Sequence, residues 1–146
     1  MAYIETQDLL DELGEDTLVK LTDDEGTGEV SETRVLKAIE FAAGTFDSYA
    51  RSRYSIPVPV TPVVKTVNLD LAIFHLYKRS HVTGGIYEVK EKAYNEALKT
   101  LKDISSGRAA LDVPTAEETI EKPATSDRIL TNASKTKFSD DALKGF

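Results

Sequence analysis

The chain has no cysteine among its 146 residues. That excludes a disulfide scaffold, thiolate metal sites and a cysteine nucleophile, and it fits a reducing compartment. No uninterrupted apolar run approaches the roughly 20 residues a membrane span needs. The opening Met1-Ala2-Tyr3-Ile4-Glu5 has neither a basic start nor an apolar stretch. No signal peptide is expected, so a soluble protein that stays where it is made is the expectation. Basic residues are nearly missing from positions 1–32, where Lys20 stands against eleven acids for a net charge of −10. Residues 33–111 hold seven acids and twelve bases, a net +5, and residues 112–146 hold seven acids and five bases, a net −2. A molecule acidic at one end and basic in its middle suits head-to-tail packing of identical copies. Independently solvated patches would give the same counts.

What the chain does contain is helical periodicity. Thr6 precedes Gln7-Asp8-Leu9-Leu10 as a capping residue, and Gly14 closes that first helix as a left-handed cap would. A short second helix over 15–22 groups Leu18, Val19 and Leu21. The polar loop 23–29 follows, and Ser31 is placed to cap a helix over 32–53. Val35, Ile39, Ala42, Ala43, Phe46 and Ala50 give it one buried face. Asp47 and Arg51 sit four apart on the other face, as an ion pair would. Pro57 and Pro59 force an extended crossover, and Thr61-Pro62 restarts a helix. Val63–Arg79 is the most apolar stretch and should be the central helix. A turn at His81-Val82-Thr83-Gly84-Gly85 leads to a last helix over 87–106, closed by Gly107. Residues 109–111 are expected to lie extended along the body. The fold class is therefore all-α, with four main helices in a compact body over 1–111.

Residues 112–146 form a long C-terminal arm in this reading. Beyond Pro114 only Ile120, Ile129, Leu130, Phe138, Leu143 and Phe146 are large and apolar, without periodicity. Such a segment cannot offset its ordering entropy alone. It is either a tail without order or a docking arm. Arg128, Ile129, Leu130, Phe138 and Phe146 are spaced like short anchors for a partner surface.

Chemistry is sparse. With Gly28 at the sixth position of a calcium loop, Asp23, Glu25 and Thr27 fall at ligand positions. Arg34 then occupies the twelfth, where a bidentate glutamate is required. A turn leading into the next helix fits better. His75 lies in the most apolar helix, five residues from Asp70, which is off the spacing of a metal pair. Ser80, His81 and Asp70 lack any nucleophile elbow. Gly84-Gly85 has no lysine-serine sequel, so no phosphate loop is indicated. No catalytic group, metal or cofactor is expected. The basic residues lack a groove-reading motif, so no sequence-specific nucleic acid is expected either. The tightest basic cluster, Arg51-Ser52-Arg53-Tyr54, reads as a subunit contact through Arg51, Arg53 and Tyr54, or as a structural ion pair.

Four stretches together resemble the small Mu-like phage family of head–tail connector (head completion or adaptor) proteins, formerly a domain of unknown function. They are the opening with Tyr3-Ile4, Asp8-Leu9, Gly14-Glu15-Asp16 and Leu21-Thr22-Asp23; Tyr49 with Arg53-Tyr54-Ser55-Ile56-Pro57; Pro62 with Leu69, Asp70, Ala72 and Leu76-Tyr77; and Tyr94, Ala97-Leu98, Leu101 and Ile104-Ser105-Ser106-Gly107. The resemblance covers about 1–111, and the loop 24–28 is less aspartate-rich than the family's usual one. It implies a non-enzymatic subunit of the virion neck, made in the host cytoplasm. Its partners would be the portal protein, a tail terminator or other neck protein, and itself as a ring, expected as a dodecamer, with DNA passing through the lumen. No membrane is implied. The competing reading is a small helical binding or regulatory module whose tail recruits a partner.

Overall fold

Five helices and no strand make up residues 2–116, the part of the chain described by the computed structural model. They are α1 (Thr6–Leu13), α2 (Glu15–Thr22), α3 (Glu32–Ala50), α4 (Pro62–Arg79) and α5 (Gly85–Ser106). The all-α class expected from the sequence is what forms. The opening thirty residues hold two short helices of equal length ahead of the three long ones.

Local chemistry sets each boundary. The cap of α1 is Glu5 rather than Thr6, because the Asp8 carboxylate reaches back to accept the Glu5 amide at 2.8 Å. The same carboxylate pairs with Lys65 on α4, so one side chain closes a helix end and ties it to the core helix. The Lys65 bond, then the Glu5 amide, holds the Asp8 carboxyl below its ordinary range. Gly14 is not a left-handed cap. Its φ of 79° and ψ of 154° turn the chain sharply, and its carbonyl accepts the Leu18 amide at 3.1 Å to start α2. That positive φ is readily reached only without a Cβ.

Three helices carry most of the packing. α3 presents Val35, Ala38, Ile39, Ala42, Ala43, Phe46 and Ala50 to the interior, a stripe at three-four spacing with alanines that let α4 approach closely. α4 is buried on most sides through Val64, Val67, Asn68, Leu71, Ala72, Ile73, Phe74, Leu76 and Tyr77. α5 closes the layer with a narrower stripe of Ala97, Leu101 and Ile104. A fully buried leucine such as Leu71 or Leu76 contributes about 2 kcal/mol from transfer alone. Asn68 is the polar exception. Its Nδ2 donates to the Val64 carbonyl at 2.9 Å, and its Oδ1 has no partner among the described residues.

α3 stops at Ala50, three residues before the expected end, because the Arg53 and Tyr54 amides both turn back to the Ala50 carbonyl at 3.0 and 2.9 Å. Thr61 and Pro62 start α4 as expected, the threonine hydroxyl accepting the Val64 amide at 3.4 Å. Gly107, with φ 82° and ψ 6°, is the left-handed cap of α5. After it, the Ala109 amide bonds the Asp103 carbonyl at 3.0 Å, and the Leu111 amide bonds the Tyr54 hydroxyl at 2.9 Å. The Ala116 amide bonds the Arg53 carbonyl at 2.9 Å. Residues 109–116 therefore form a strap across the exit of α3.

Candidate interaction surfaces

The acidic loop is occupied by its own chain. The Asp23 carboxylate accepts the Thr27 amide at 3.0 Å, the Thr27 hydroxyl at 3.2 Å and the Gly28 amide at 2.7 Å. The Gly28 and Thr27 amides hold its carboxyl below the usual range. Asp24 receives two arginines, Arg34 from α3 at 3.2 Å and Arg79 from α4. The Arg79 bond is the main cause of its own lowered carboxyl. Both arginines also bond carbonyls at the end of α2, Arg34 to Thr22 at 2.8 Å and Arg79 to Leu21 at 3.0 Å. The loop is a clasp joining α2, α3 and α4. Among the described residues, no group of three or more metal-ligating side chains converges.

The cluster expected at a subunit contact is divided by the fold. Arg51 is exposed, and its Nε donates to the Asp47 carbonyl at 3.3 Å. The Asp47–Arg51 ion pair does not form, because the Asp47 carboxylate accepts the Tyr3 hydroxyl instead. That hydroxyl also accepts the Val58 amide at 3.2 Å, so it joins the N-terminus, α3 and the crossover. Burial first, then the Asp47 bond, push the Tyr3 hydroxyl from the ordinary 10.0 up to about 12. Arg53 is half-buried under Gly107, where an added Cβ would lie 3.1 Å from its Nη1. Tyr54 is only 2% exposed and spends its hydroxyl on Leu111. The three residues share one turn, but Tyr54 faces the interior and Arg53 faces the strap. Arg51 alone of the three is fully on the surface. The arm residues Arg128, Ile129, Leu130, Phe138 and Phe146 lie outside the described residues.

Two surface depressions were not anticipated from the sequence. A shallow groove of about 450 Å³ runs along α3 past Leu36, Glu40, Ala43, Gly44 and Asp47. An aromatic cleft of about 380 Å³ opens among α3, α4 and α5. In it Phe41 stacks on His75 with ring centroids 4.5 Å apart, and Phe74 stacks on Tyr94 at 4.4 Å. Tyr87 closes on Phe74 at 5.6 Å. Lys78 and Arg79 line the same cleft. Burial, then the charges of Arg79 and Lys78, lowers the His75 pKa. The sequence signal for this cleft was Phe41. It is a large aromatic beside Glu40, off the apolar stripe of α3, and it remains 38% exposed.

Among the described residues, no helix is long and apolar enough to cross a membrane. The family model for Bacteriophage Mu, Gp36 matches residues 3–128. A curated relative, the Mu-like prophage FluMu protein gp36 of Haemophilus influenzae, is 25% identical over 92 residues. That alignment covers 63% of this chain and 62% of the relative, so the match spans less than two thirds of the relative's length. The family match covers all five helices and continues beyond the strap. The chain therefore belongs to the bacteriophage Mu Gp36 family.

Proposed function

We propose that this protein is a structural component of a tailed-phage particle, without enzymatic activity, acting in the neck as a head–tail connector. In this reading the helical body packs beside copies of itself in a ring between portal and tail. DNA passes through the lumen, and the segment after the strap docks on the portal or on a neighbouring copy. The observation that carries the reading is the extent of the family match. It spans the body and runs on to residue 128, so the family shares the body together with the polar segment that follows it. The net charge of −10 over residues 1–32 supports a surface that DNA can pass without adhering, since an anionic wall repels phosphate. Arg51 is an exposed cation in no ion pair among the described residues and is available for contacts between copies.

Gradient co-sedimentation with the portal encoded beside this gene tests the proposal. Two forms are compared: the full chain, and a chain ending at Ala116, which keeps the strap bonds to Tyr54 and Arg53. Co-migration of the full chain alone supports a connector docked through residues 117–146. If neither form travels with the portal, the portal-adaptor role fails, and a tail-side partner or a regulatory module takes its place.

A further inference from the structure

The aromatic cleft is built to receive something. Four ring-bearing side chains, Phe41, Phe74, His75 and Tyr94, line it, and Phe41 remains partly exposed. Its volume of about 380 Å³ lies within the ordinary range of small binding clefts, roughly 300–1,000 Å³. The two cations on its edge differ. Arg79 is consumed by Asp24 and the Leu21 carbonyl. Lys78 is exposed and makes no ion pair among the described residues. A fitting occupant brings a flat apolar group for the rings and a carboxylate for Lys78, within a few residues of each other.

Outside the described residues, the chain's own sequence offers that combination at Phe138-Ser139-Asp140-Asp141, where an aromatic is followed by two acids. Ile129-Leu130 is aliphatic and has no carboxylate pair following it. Between Ala116 and Phe138 lie 21 residues. Extended, they reach up to about 70 Å, while a domain of this size is about 30 Å across. The reach is enough to cross to an adjacent body. We propose that the Phe41–His75–Phe74–Tyr94 cleft of one copy receives the Phe138–Asp141 segment of a second copy, with the Phe138 ring among the aromatics and Asp140 and Asp141 toward Lys78. A receptor cleft and its complement on the same chain make a head-to-tail contact, which closes into a ring when the rotation per copy allows. This inference rests on the reading of the protein as a self-assembling neck component.

Site-specific photocrosslinking of the full-length protein alone is the test. Phe138 is replaced by p-benzoylphenylalanine, the sample is irradiated, and the linked peptides are mapped by mass spectrometry. The expected result is a covalent dimer linked at the segments holding Phe41, Phe74 and His75, or Tyr94. Lys78→Glu, a surface change whose folding is checked by circular dichroism, should cut the yield about fivefold, and the double charge reversal Asp140→Lys, Asp141→Lys should restore it in that background. Crosslinks that miss the cleft, crosslinks confined to single chains, or no crosslinks would each overturn the proposal. No portal is present, so a negative result removes the cleft contact while co-sedimentation with the portal can still succeed. Failure of co-sedimentation with a positive crosslink removes the portal-adaptor role instead.

Discussion

Replacing Tyr3 with phenylalanine isolates one atom that holds three parts of the body together. The ring survives the change, and its tilted contact with Phe46, centroids 4.9 Å apart, is kept. What disappears is the hydroxyl that donates to Asp47 and accepts the Val58 amide. Val58 is only 2% exposed, so its amide loses its acceptor where water does not easily replace it. An unsatisfied buried donor costs about 1–3 kcal/mol. Asp47 is only half-buried, so water takes over much of the other bond. The expected loss is about 2 kcal/mol, or a Tm lower by about 7 °C in a domain near this size. Urea unfolding followed by far-ultraviolet circular dichroism measures it near neutral pH. A loss under about 0.5 kcal/mol would show that Val58 finds another acceptor and would refute the reasoning. Alkaline titration gives a second check. The folded pKa of Tyr3 is raised to about 12 from 10.0, so the unfolded chain releases this proton first as pH rises. The tyrosine's contribution is complete below pH 10 and lost as pH climbs toward 12. The stability gap between wild type and Tyr3→Phe should therefore narrow across that window. Tyr77, also raised by burial, is common to both proteins and cancels.

Four further outcomes follow. Gly107→Ala places a Cβ at a left-handed position and 3.1 Å from the Arg53 Nη1, and it should lower unfolding stability by about 1–2 kcal/mol in a denaturant titration. His81→Gly should do the reverse, raising stability by about 1 kcal/mol, because His81 holds a φ of 57° that glycine adopts without strain. The carboxyls of Asp8, Asp23 and Asp24 all lie below the ordinary 3.8, so their contribution is complete above that value and lost as pH falls through the lower folded ones. Acid unfolding should begin below about pH 4. Asp23→Ala should speed hydrogen exchange at Thr27 and Gly28 while leaving the helix amides unchanged.

The helices were legible in the sequence because their signals are local. Thr61-Pro62 carries its own start, the stripe of α3 its own face, and Gly107 its own stop. The errors fell where a distant residue decides. Asp47 and Arg51 have the spacing of an ion pair, but Tyr3, 44 positions earlier, takes the carboxylate. Tyr54 sits in a basic surface cluster, but Leu111, 57 positions later, claims its hydroxyl and covers it. At Gly14 the residue type announced a break. The conformation was set by the helix that follows, which needs the Gly14 carbonyl as its first acceptor. The aromatic cleft was hidden for the same reason. Phe41 reads as one stray apolar side chain until α4 brings His75 against it.

The charge pattern changes meaning once the pairs are known. The −10 of residues 1–32 and the +5 of residues 33–111 suggested complementary ends available to neighbouring copies. Part of that complementarity is consumed inside each body, since Asp8 holds Lys65 and Asp24 holds Arg34 and Arg79. Each of these joins the acidic segment to the basic one, so the segments attract each other within the chain first. In the proposed assembly, cations outside these pairs would serve contacts between bodies, and four of them show the range. Lys78 is at the aromatic cleft, Arg51 is at the exit of α3, and Lys92 and Lys99 lie on the outer face of α5 beside Glu88, Glu91 and Glu96. None of the four is in an ion pair of the described residues, but Lys92 and Lys99 lie among carboxylates. If copies associate as proposed, added salt should therefore weaken that association at concentrations that leave the partly shielded clasp of Asp24, and with it the fold, in place. If salt melted the body as readily as it separated copies, the clasp would not be the internal element that the bonds of Arg34 and Arg79 to the α2 carbonyls make it.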